Sequence, residues 1–373
     1  MNRHERRRNY KNNSKKDPII LNLITKAKEK LSVGDLNQAI EFCLDATARA
    51  PLESEPFHIY ALALFKQGKL QKAGENILEA ITRNDTNSKM HSDCGAIMNM
   101  LGRYQEAEAA SRHAIQLSNK QDVNGFINLA IALQKQDRNA EAIEVYDTAV
   151  NIHPKNVRVR INKGTLMLFT GALIDAIEIF DGVLESQPEN SMVLSNMSVA
   201  LKMIGEPIAS EEFARNAINS NSQDADAHYA FGLVCLDKNF LFDAKKFFKE
   251  AIKIRPSFYQ ADCSLIETYI KLGRYEKAFN LVTGLITRNP NLSQAYLLFS
   301  QVSREVLSNT EENIIRRRIK LKQVSYLEKV TLYQTIGEIE KKRKNYDESI
   351  EAYKMANSLY ADGLIANDVK FKP

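Results

Sequence analysis

A regular series of glycines is the feature that most limits how this sequence can fold. Glycines interrupt runs of apolar residues at intervals of 34 residues or multiples of 34, with one extra residue between the third and the fourth: Gly34, Gly68, Gly102, Gly171, Gly205 and Gly273. The two missing positions carry Asp137 and Asn239. Because Gly, Asn and Asp adopt positive φ angles most readily, the series predicts a tight turn between two helices at eight positions.

Small side chains recur at two fixed distances after each turn. The first series lies five residues after the turn and the second seven residues later: Ala39, Ala73, Ala107, Ala142, Ala176, Ser210, Ala244 and Ala278, then Ala46, Ala80, Ala114, Ala149, Val183, Ala217, Ala251 and Leu285. Residues seven apart share one face of a helix, and small ones let a neighbouring helix approach closely. Prolines follow at the ends of several such segments, where a helix must stop. Each repeat is therefore predicted to be helix A, a turn, helix B and a second turn.

These linked series resemble the tetratricopeptide repeat, a helix–turn–helix of about 34 residues. The resemblance covers residues 20–292. It implies an all-α fold, a right-handed superhelical solenoid of tandem antiparallel helix pairs. The Trp that is frequent early in helix A of the family is absent, and five repeats have another ring there: Phe57, His91, Phe126, His228 and Tyr296.

The same rhythm divides the chain into four predicted regions. Residues 1–18 form a basic tail that we expect to be disordered, because it is charged and has few apolar side chains. Residues 19–292 hold eight tandem repeats. Residues 293–329 form an irregular repeat, in which the basic run 316–322 predicts an amphipathic helix with a basic outer face. Residues 330–373 form a final repeat-like unit and a C-terminal tail.

Charge and composition argue against several classes of protein. The tail carries the whole net charge of +5, so the rest of the chain is neutral and nucleic acid is not an expected partner. The longest uncharged stretch near the middle, residues 164–174, is too short to span a bilayer. No apolar segment near the N-terminus resembles a secretory signal. The four cysteines form no C-x-x-C pair or disulfide framework, so we expect a cytoplasmic protein.

Residues that could carry catalysis all have a structural interpretation. They are paired carboxylates near helix starts, cysteines on apolar stripes and histidines in the aromatic position of helix A: Glu106 and Glu108, Glu211 and Glu212, Cys43 and Cys94, and His91 and His228. Acids favour the amino end of a helix, and a buried cysteine acts as a small hydrophobic residue. The sequence contains no phosphate-binding loop or nucleophile motif. We therefore expect no enzyme activity, no cofactor and no metal ion.

Asparagines follow the same interval in the middle of the chain, at Asn128, Asn162 and Asn196. Each lies two residues before the small residue of helix A. In the tetratricopeptide family the A helices line the concave face, and this series resembles the asparagine ladder in the repeat arm of O-linked N-acetylglucosamine transferases. A side-chain amide matches the N–H and C=O groups of a peptide backbone. The resemblance thus implies a peptide-binding site, with selectivity from the next helical turn: Ile131, Thr165 and Val199.

The alternative interpretation is that these asparagines are ordinary solvated residues. Our leading hypothesis is a non-catalytic scaffold that binds an extended peptide or protein partner in its concave groove, with its oligomeric state open. The second hypothesis is the substrate-selecting arm of a sulfotransferase or glycosyltransferase whose catalytic domain is missing or separately encoded. It rests on Gly337 and residues 345–357, which resemble the last repeat of bacterial tetratricopeptide–sulfotransferase proteins. A third hypothesis, nucleic-acid binding through the tail, predicts strongly salt-dependent binding.

Overall fold

The computed structural model describes residues 17–303, 307–321, 324 and 326–366, with the side chains of 363–366 excepted. Nearly all of the predicted tail, residues 1–16, lies outside these ranges, as do residues 322 and 323 of the basic run and the residues after 366. Within the described ranges the regular structure consists of helices, with no strand. None of the described helices has the length and apolar character needed to cross a membrane. The all-α fold predicted from the sequence is confirmed.

The chain forms two compact units, Met1–Val159 and Arg160–Pro373, here called the N-terminal and C-terminal units. Odd-numbered helices are A helices and even-numbered helices are B helices. The N-terminal unit contains α1 Pro18–Ser32, α2 Leu36–Arg49, α3 Ser54–Lys66, α4 Leu70–Arg83, α5 Ser88–Met100, α6 Tyr104–Leu117, α7 Val123–Lys135 and α8 Asn139–Ile152.

The next helix, α9, begins in the N-terminal unit and continues into the C-terminal unit. The helices from this point are α9 Val157–Thr170, α10 Leu173–Leu184, α11 Ser191–Met203, α12 Pro207–Ser220, α13 Ala225–Asp237, α14 Leu241–Ile254, α15 Tyr259–Lys271, α16 Tyr275–Arg288, α17 Ser293–Val302, α18 Asn309–Ile319, α19 Tyr326–Lys342 and α20 Tyr346–Ala366. Each B helix from α12 to α16 packs on the A helix before it and the A helix after it.

All eight predicted turns have the expected backbone conformation. Their φ angles run from +60° at Asn239 to +86° at Gly171 and Gly205. The amide that follows the turn residue then bonds back to the carbonyl five residues earlier, for example Lys69 N to Leu64 O at 2.9 Å. This is the Schellman closure of a helix carboxyl end, which needs a left-handed residue. Lys344 takes the same conformation between α19 and α20, with φ of +66°.

The two series of small side chains form the contact between helices A and B. Every member of both series is at most 2% exposed. On the facing A helix, a small residue makes room for a ring of helix B. A Cβ atom added to Gly232 would lie 2.6 Å from the ring of Phe248, and one added to Gly164 would lie 2.6 Å from Phe180. Close packing of a small residue against a ring thus fixes the register of these two pairs.

In the basic run 316–322, Arg316, Arg317 and Lys320 are exposed. Arg316 and Arg318 also form ion pairs with carboxylates of α19. Arg316 contacts Glu312 at 2.7 Å and Glu340 at 3.1 Å, and Arg318 pairs with Glu328. The sequence did not reveal these ion pairs, because Glu328 and Glu340 lie on the neighbouring helix in space, 10 and 24 residues further along the chain.

Candidate functional site

The A helices provide a continuous face within each unit. In the described residues, most consecutive A helices pack directly on each other, as α5 does on α7 and α13 does on α15, whereas consecutive B helices touch far less. The A helices are therefore the more closely spaced layer in each unit. Side chains that project from this layer at equal positions follow one another from helix to helix, which is the arrangement that an extended ligand requires.

Asn128 lies on this face in the N-terminal unit, on α7. Its side-chain amide donates to the backbone carbonyl of Ser92 on α5, at 2.9 Å. In return, the amide of Asn99 donates to the backbone carbonyl of Asn128, also at 2.9 Å. Asn128 therefore joins two A helices and is not simply solvated. Ile131, one turn further along α7, is partly buried.

The other four predicted site residues lie in the C-terminal unit. Asn162 and Thr165 are on α9, and Asn196 and Val199 are on α11. The side-chain amide of Asn196 donates to the hydroxyl of Thr165 at 3.0 Å. Thr165 is exposed, whereas Asn162, Asn196 and Val199 are partly buried. The structure therefore brings Asn196 and Thr165 into direct contact on an accessible part of the A-helix face.

Later A helices have further residues at the position equivalent to Val199. Counting 34 and 68 residues on from Val199 gives Leu233 on α13 and Glu267 on α15. Both are partly buried. Burial raises the pKa of Glu267, and the positive charges of Lys271 and Lys202 partly oppose that rise. Sequence reasoning missed these two because it followed the asparagines and not the interval itself.

Cys43 and Cys94 are buried, as predicted, and Cys235 and Cys263 are buried as well. Burial raises the pKa of Cys43, Cys94 and Cys263 to about 12 and that of Cys235 to about 11. A thiol with such a pKa is protonated at neutral pH and is a weak nucleophile.

The paired carboxylates serve as ion-pair partners between neighbouring helices. Glu108 contacts Arg112 at 2.9 Å and Arg138 at 2.7 Å. Burial alone would raise the pKa of Glu108, but hydrogen bonds from Gln136 and the two arginines outweigh burial and hold it below its usual value. Glu211 likewise has a lowered pKa, because Lys238 and Arg215 bind it. Both acids are fixed anions, which supports the structural interpretation.

The histidines in the aromatic position also have a structural partner. The Nε2 atom of His91 lies 2.9 Å from the carbonyl of Asp85, and that of His228 lies 3.0 Å from the carbonyl of Ser222. The hydroxyl of Tyr296 donates to the carbonyl of Pro290 at 2.9 Å in the same register. A polar ring at this position thus ties helix A to the turn before it. In the described part of the chain, no three His, Cys, Asp or Glu residues come together as a metal site would require.

Open clefts occur in both units but hold no catalytic grouping. One of about 440 Å³ in the N-terminal unit is lined by Arg112, Ile115, Phe126 and Val145, among others. One of about 320 Å³ in the C-terminal unit lies between α9 and α10. Neither cleft contains one of the predicted peptide-binding residues.

Comparison with known proteins agrees with the fold. The family model of the tetratricopeptide repeat matches residues 127–191. A crystal structure of a tetratricopeptide repeat protein from Parabacteroides merdae superposes with a TM-score of 0.60 at 18% identity, covering 68% of this chain and 99% of that one. The structure of pilF from Pseudomonas aeruginosa gives a TM-score of 0.44 at 15% identity, covering 56% of this chain and 94% of that one. No curated protein sequence matches the chain significantly.

Proposed function

Because residues 127–191 match the tetratricopeptide repeat and the described helices have the fold of such an array, we propose that this protein is a non-catalytic scaffold for protein–protein interaction. More specifically, we propose that it binds an extended segment of a partner protein along the face of its A helices. Repeat arrays present long surfaces of this kind, because each repeat contributes the same few positions in turn.

The contact between Asn196 and Thr165 is the observation that carries the proposal. A carboxamide has two N–H donors and one acceptor oxygen. The bond to Thr165 uses one donor and fixes the orientation of the amide. The second donor and the oxygen can then pair with the C=O and N–H groups of a peptide at a reduced cost in side-chain entropy.

The spacing of the helices suits an extended ligand. Packed helices lie about 8–10 Å apart, so Asn162 and Asn196 are separated by on the order of 10 Å. An extended chain advances about 3.3–3.6 Å per residue, so successive asparagines would meet roughly every third residue of the partner. Backbone recognition of this type is tolerant of sequence, and Thr165, Val199, Leu233 and Glu267 would supply selectivity.

Selection of a displayed library of random peptides for binding to the purified chain tests the proposal. We expect the double substitution of Asn162→Ala with Asn196→Ala to lower the affinity for the selected peptides by roughly 5- to 150-fold. This corresponds to about 0.5–1.5 kcal/mol for each lost hydrogen bond. The matched control replaces two exposed asparagines of α12, Asn216 and Asn219, by alanine and should leave binding unchanged. Selected peptides that bind the double variant and the wild type equally well would refute the assignment of this site.

A separate substitution examines Asn128, whose side chain bonds to α5. We expect Asn128→Ala to lower the free energy of unfolding by about 1 kcal/mol whether or not it also affects binding. Urea unfolding of this variant therefore measures the structural role independently of any ligand.

A further inference from the structure

The turns between helices A and B in the C-terminal unit lie along one edge. A tight turn reverses the chain between each A helix and its B helix, so successive A helices run in the same direction and their carboxyl ends, where the turns begin, point the same way. From α11 to α19, each A helix also packs on the next one. Gly171, Gly205 and Asn239 are successive turn residues, and the third residue after each of them has a large apolar side chain that faces solvent. Ile174 is 68% exposed, Ile208 is 82% exposed and Phe242 is 71% exposed. We call this row the apolar edge.

Other apolar side chains beside the same turns enlarge it. Met203, Phe240 and Tyr275 are each more than half exposed. If a large side chain offers about 150–250 Å² in total, the six residues together expose on the order of 700 Å². The largest apolar patch on a typical monomer is about 300–600 Å², whereas a standard interface covers about 800 Å² on each partner. The area therefore fits one complete protein interface.

The N-terminal unit lacks this row. At the corresponding positions, three residues after Gly34, Gly68 and Gly102, the sequence has the exposed residues Asn37, Gln71 and Gln105. The repeat fold itself therefore does not demand apolar residues there. A residue such as Ile208, with most of its surface in water, adds nothing to the packing of its own helix pair.

Charges along the apolar edge change sign from one end to the other. Asp175, Glu206 and Asp243 are exposed near the first three turns. Arg274 and Lys277 are exposed near the fourth, together with Glu276. The ion pairs that the described residues form near these turns involve other side chains, Lys202 with Asp237 and Lys238 with Glu211. The first three turns of the row thus each carry an exposed acid, whereas the fourth has two cations against one anion and is net basic.

We infer that the apolar edge is the interface of a two-fold symmetric homodimer, in which the edges of two copies run antiparallel. A two-fold axis places the same surface of both copies face to face. With four turns in the row, the first turn of one copy faces the fourth turn of its partner. Asp175 then lies opposite the partner's Arg274, and the aliphatic Ile174 and Ile208 lie opposite the aromatic Tyr275 and Phe242. A lipid surface fits less well, because an anionic bilayer repels the acidic end.

Sedimentation velocity of the full chain over a range of concentrations provides the test. We expect a reversible dimer, and we expect Ile208→Asp with Phe242→Asp to raise its dissociation constant roughly 100-fold or more, since central interface residues contribute most of the affinity. Both side chains are exposed, so circular dichroism should show an unchanged fold. Val33→Asp with Met100→Asp, at similarly exposed apolar residues of the N-terminal unit, is the matched control and should still dimerise.

Charge exchange tests the antiparallel arrangement. Asp175→Arg and Arg274→Asp should each weaken the dimer, and the two together should restore it, because each residue then meets its complement on the partner. Additive weakening would refute the antiparallel pairing. A wild-type chain that remains monomeric at the highest attainable concentration would overturn the proposal, as would a monomer that binds lipid vesicles through this edge. Loss of the dimer in the N-terminal control would place the interface elsewhere.

Discussion

The regular repeats and the last helices of the C-terminal unit use different residues at the contacts between neighbouring helices. From α13 to α16, helix pairs meet through alanine, glycine and rings, all buried and apolar. Between α18 and α19 the contact includes two buried acids, Glu312 and Glu340, which share Arg316 and Arg343 in a closed ring of four ion pairs with distances of 2.6–3.1 Å. Counting the repeat interval forward places an alanine at position 312, where the sequence has Glu312.

This difference shows what a repeat loses when its small residue is replaced by an acid. Close helix packing needs a small side chain, and a buried carboxylate needs compensating charge. Two arginines and the amide of Asn345, which donates to Glu340 at 2.9 Å, supply it. The apolar repeats should therefore respond to changes in side-chain volume, and the α18–α19 contact to changes in charge.

The largest expected effect comes from overpacking a regular repeat. Gly232→Leu places side-chain atoms where the ring of Phe248 lies, since even a Cβ atom would be 2.6 Å from it. We expect the free energy of unfolding to fall by about 3 kcal/mol, measured by urea denaturation. Lys249→Leu, at an exposed position of α14, is the matched control and should have little effect. Equal stability of the glycine variant and the wild type would contradict the assigned register.

A smaller effect should follow from acidification. Hydrogen bonds from Arg343 and Arg316 hold the pKa of Glu312 below its usual value, against the opposing effect of burial. Its contribution to stability is therefore complete above the pKa of the unfolded chain and is lost as the pH falls through the lower pKa of the folded chain. The arginines are partly exposed, so we expect a loss of only about 1–2 kcal/mol.

Amide hydrogen exchange in α18 and α19 at neutral and acidic pH would measure this loss. In the Glu312→Gln variant, the exchange rates of these helices should already be raised at neutral pH and should change less on acidification. Identical pH dependence in the variant and the wild type would exclude Glu312 as the responsible group.

The smallest expected effect is an increase in the free energy of unfolding. The turn between α19 and α20 forces Lys344 to a φ angle of +66°, which costs a residue with a Cβ atom about 1–2 kcal/mol. We expect Lys344→Gly to stabilise the chain by about 1 kcal/mol in a thermal melt. Gly205→Ala, which makes the reverse change in a regular repeat, should destabilise it by a similar amount. Destabilisation by both substitutions would show that the Lys344 side chain contributes to packing.

The sequence by itself determined the turns and the helix pairs of this protein. Whether a residue can adopt a positive φ angle depends mainly on its own type, so the identities of Gly171 and Asn239 were enough to predict the turns there. Close packing between a helix and its neighbour repeats at a fixed interval, so Ala142 and Ala244 could be assigned to the core by counting.

Only the tertiary structure decided how polar and exposed side chains are used. It showed that Asn128 bonds to Ser92, 36 residues away, and that Asn196 contacts Thr165. It turned Arg316 towards Glu340 and left Ile208 in water. The physical reason is that a hydrogen bond or an ion pair depends on which side chains meet in space across neighbouring repeats. The 34-residue interval fixes the helix on which a residue lies, but not the atoms that its side chain reaches.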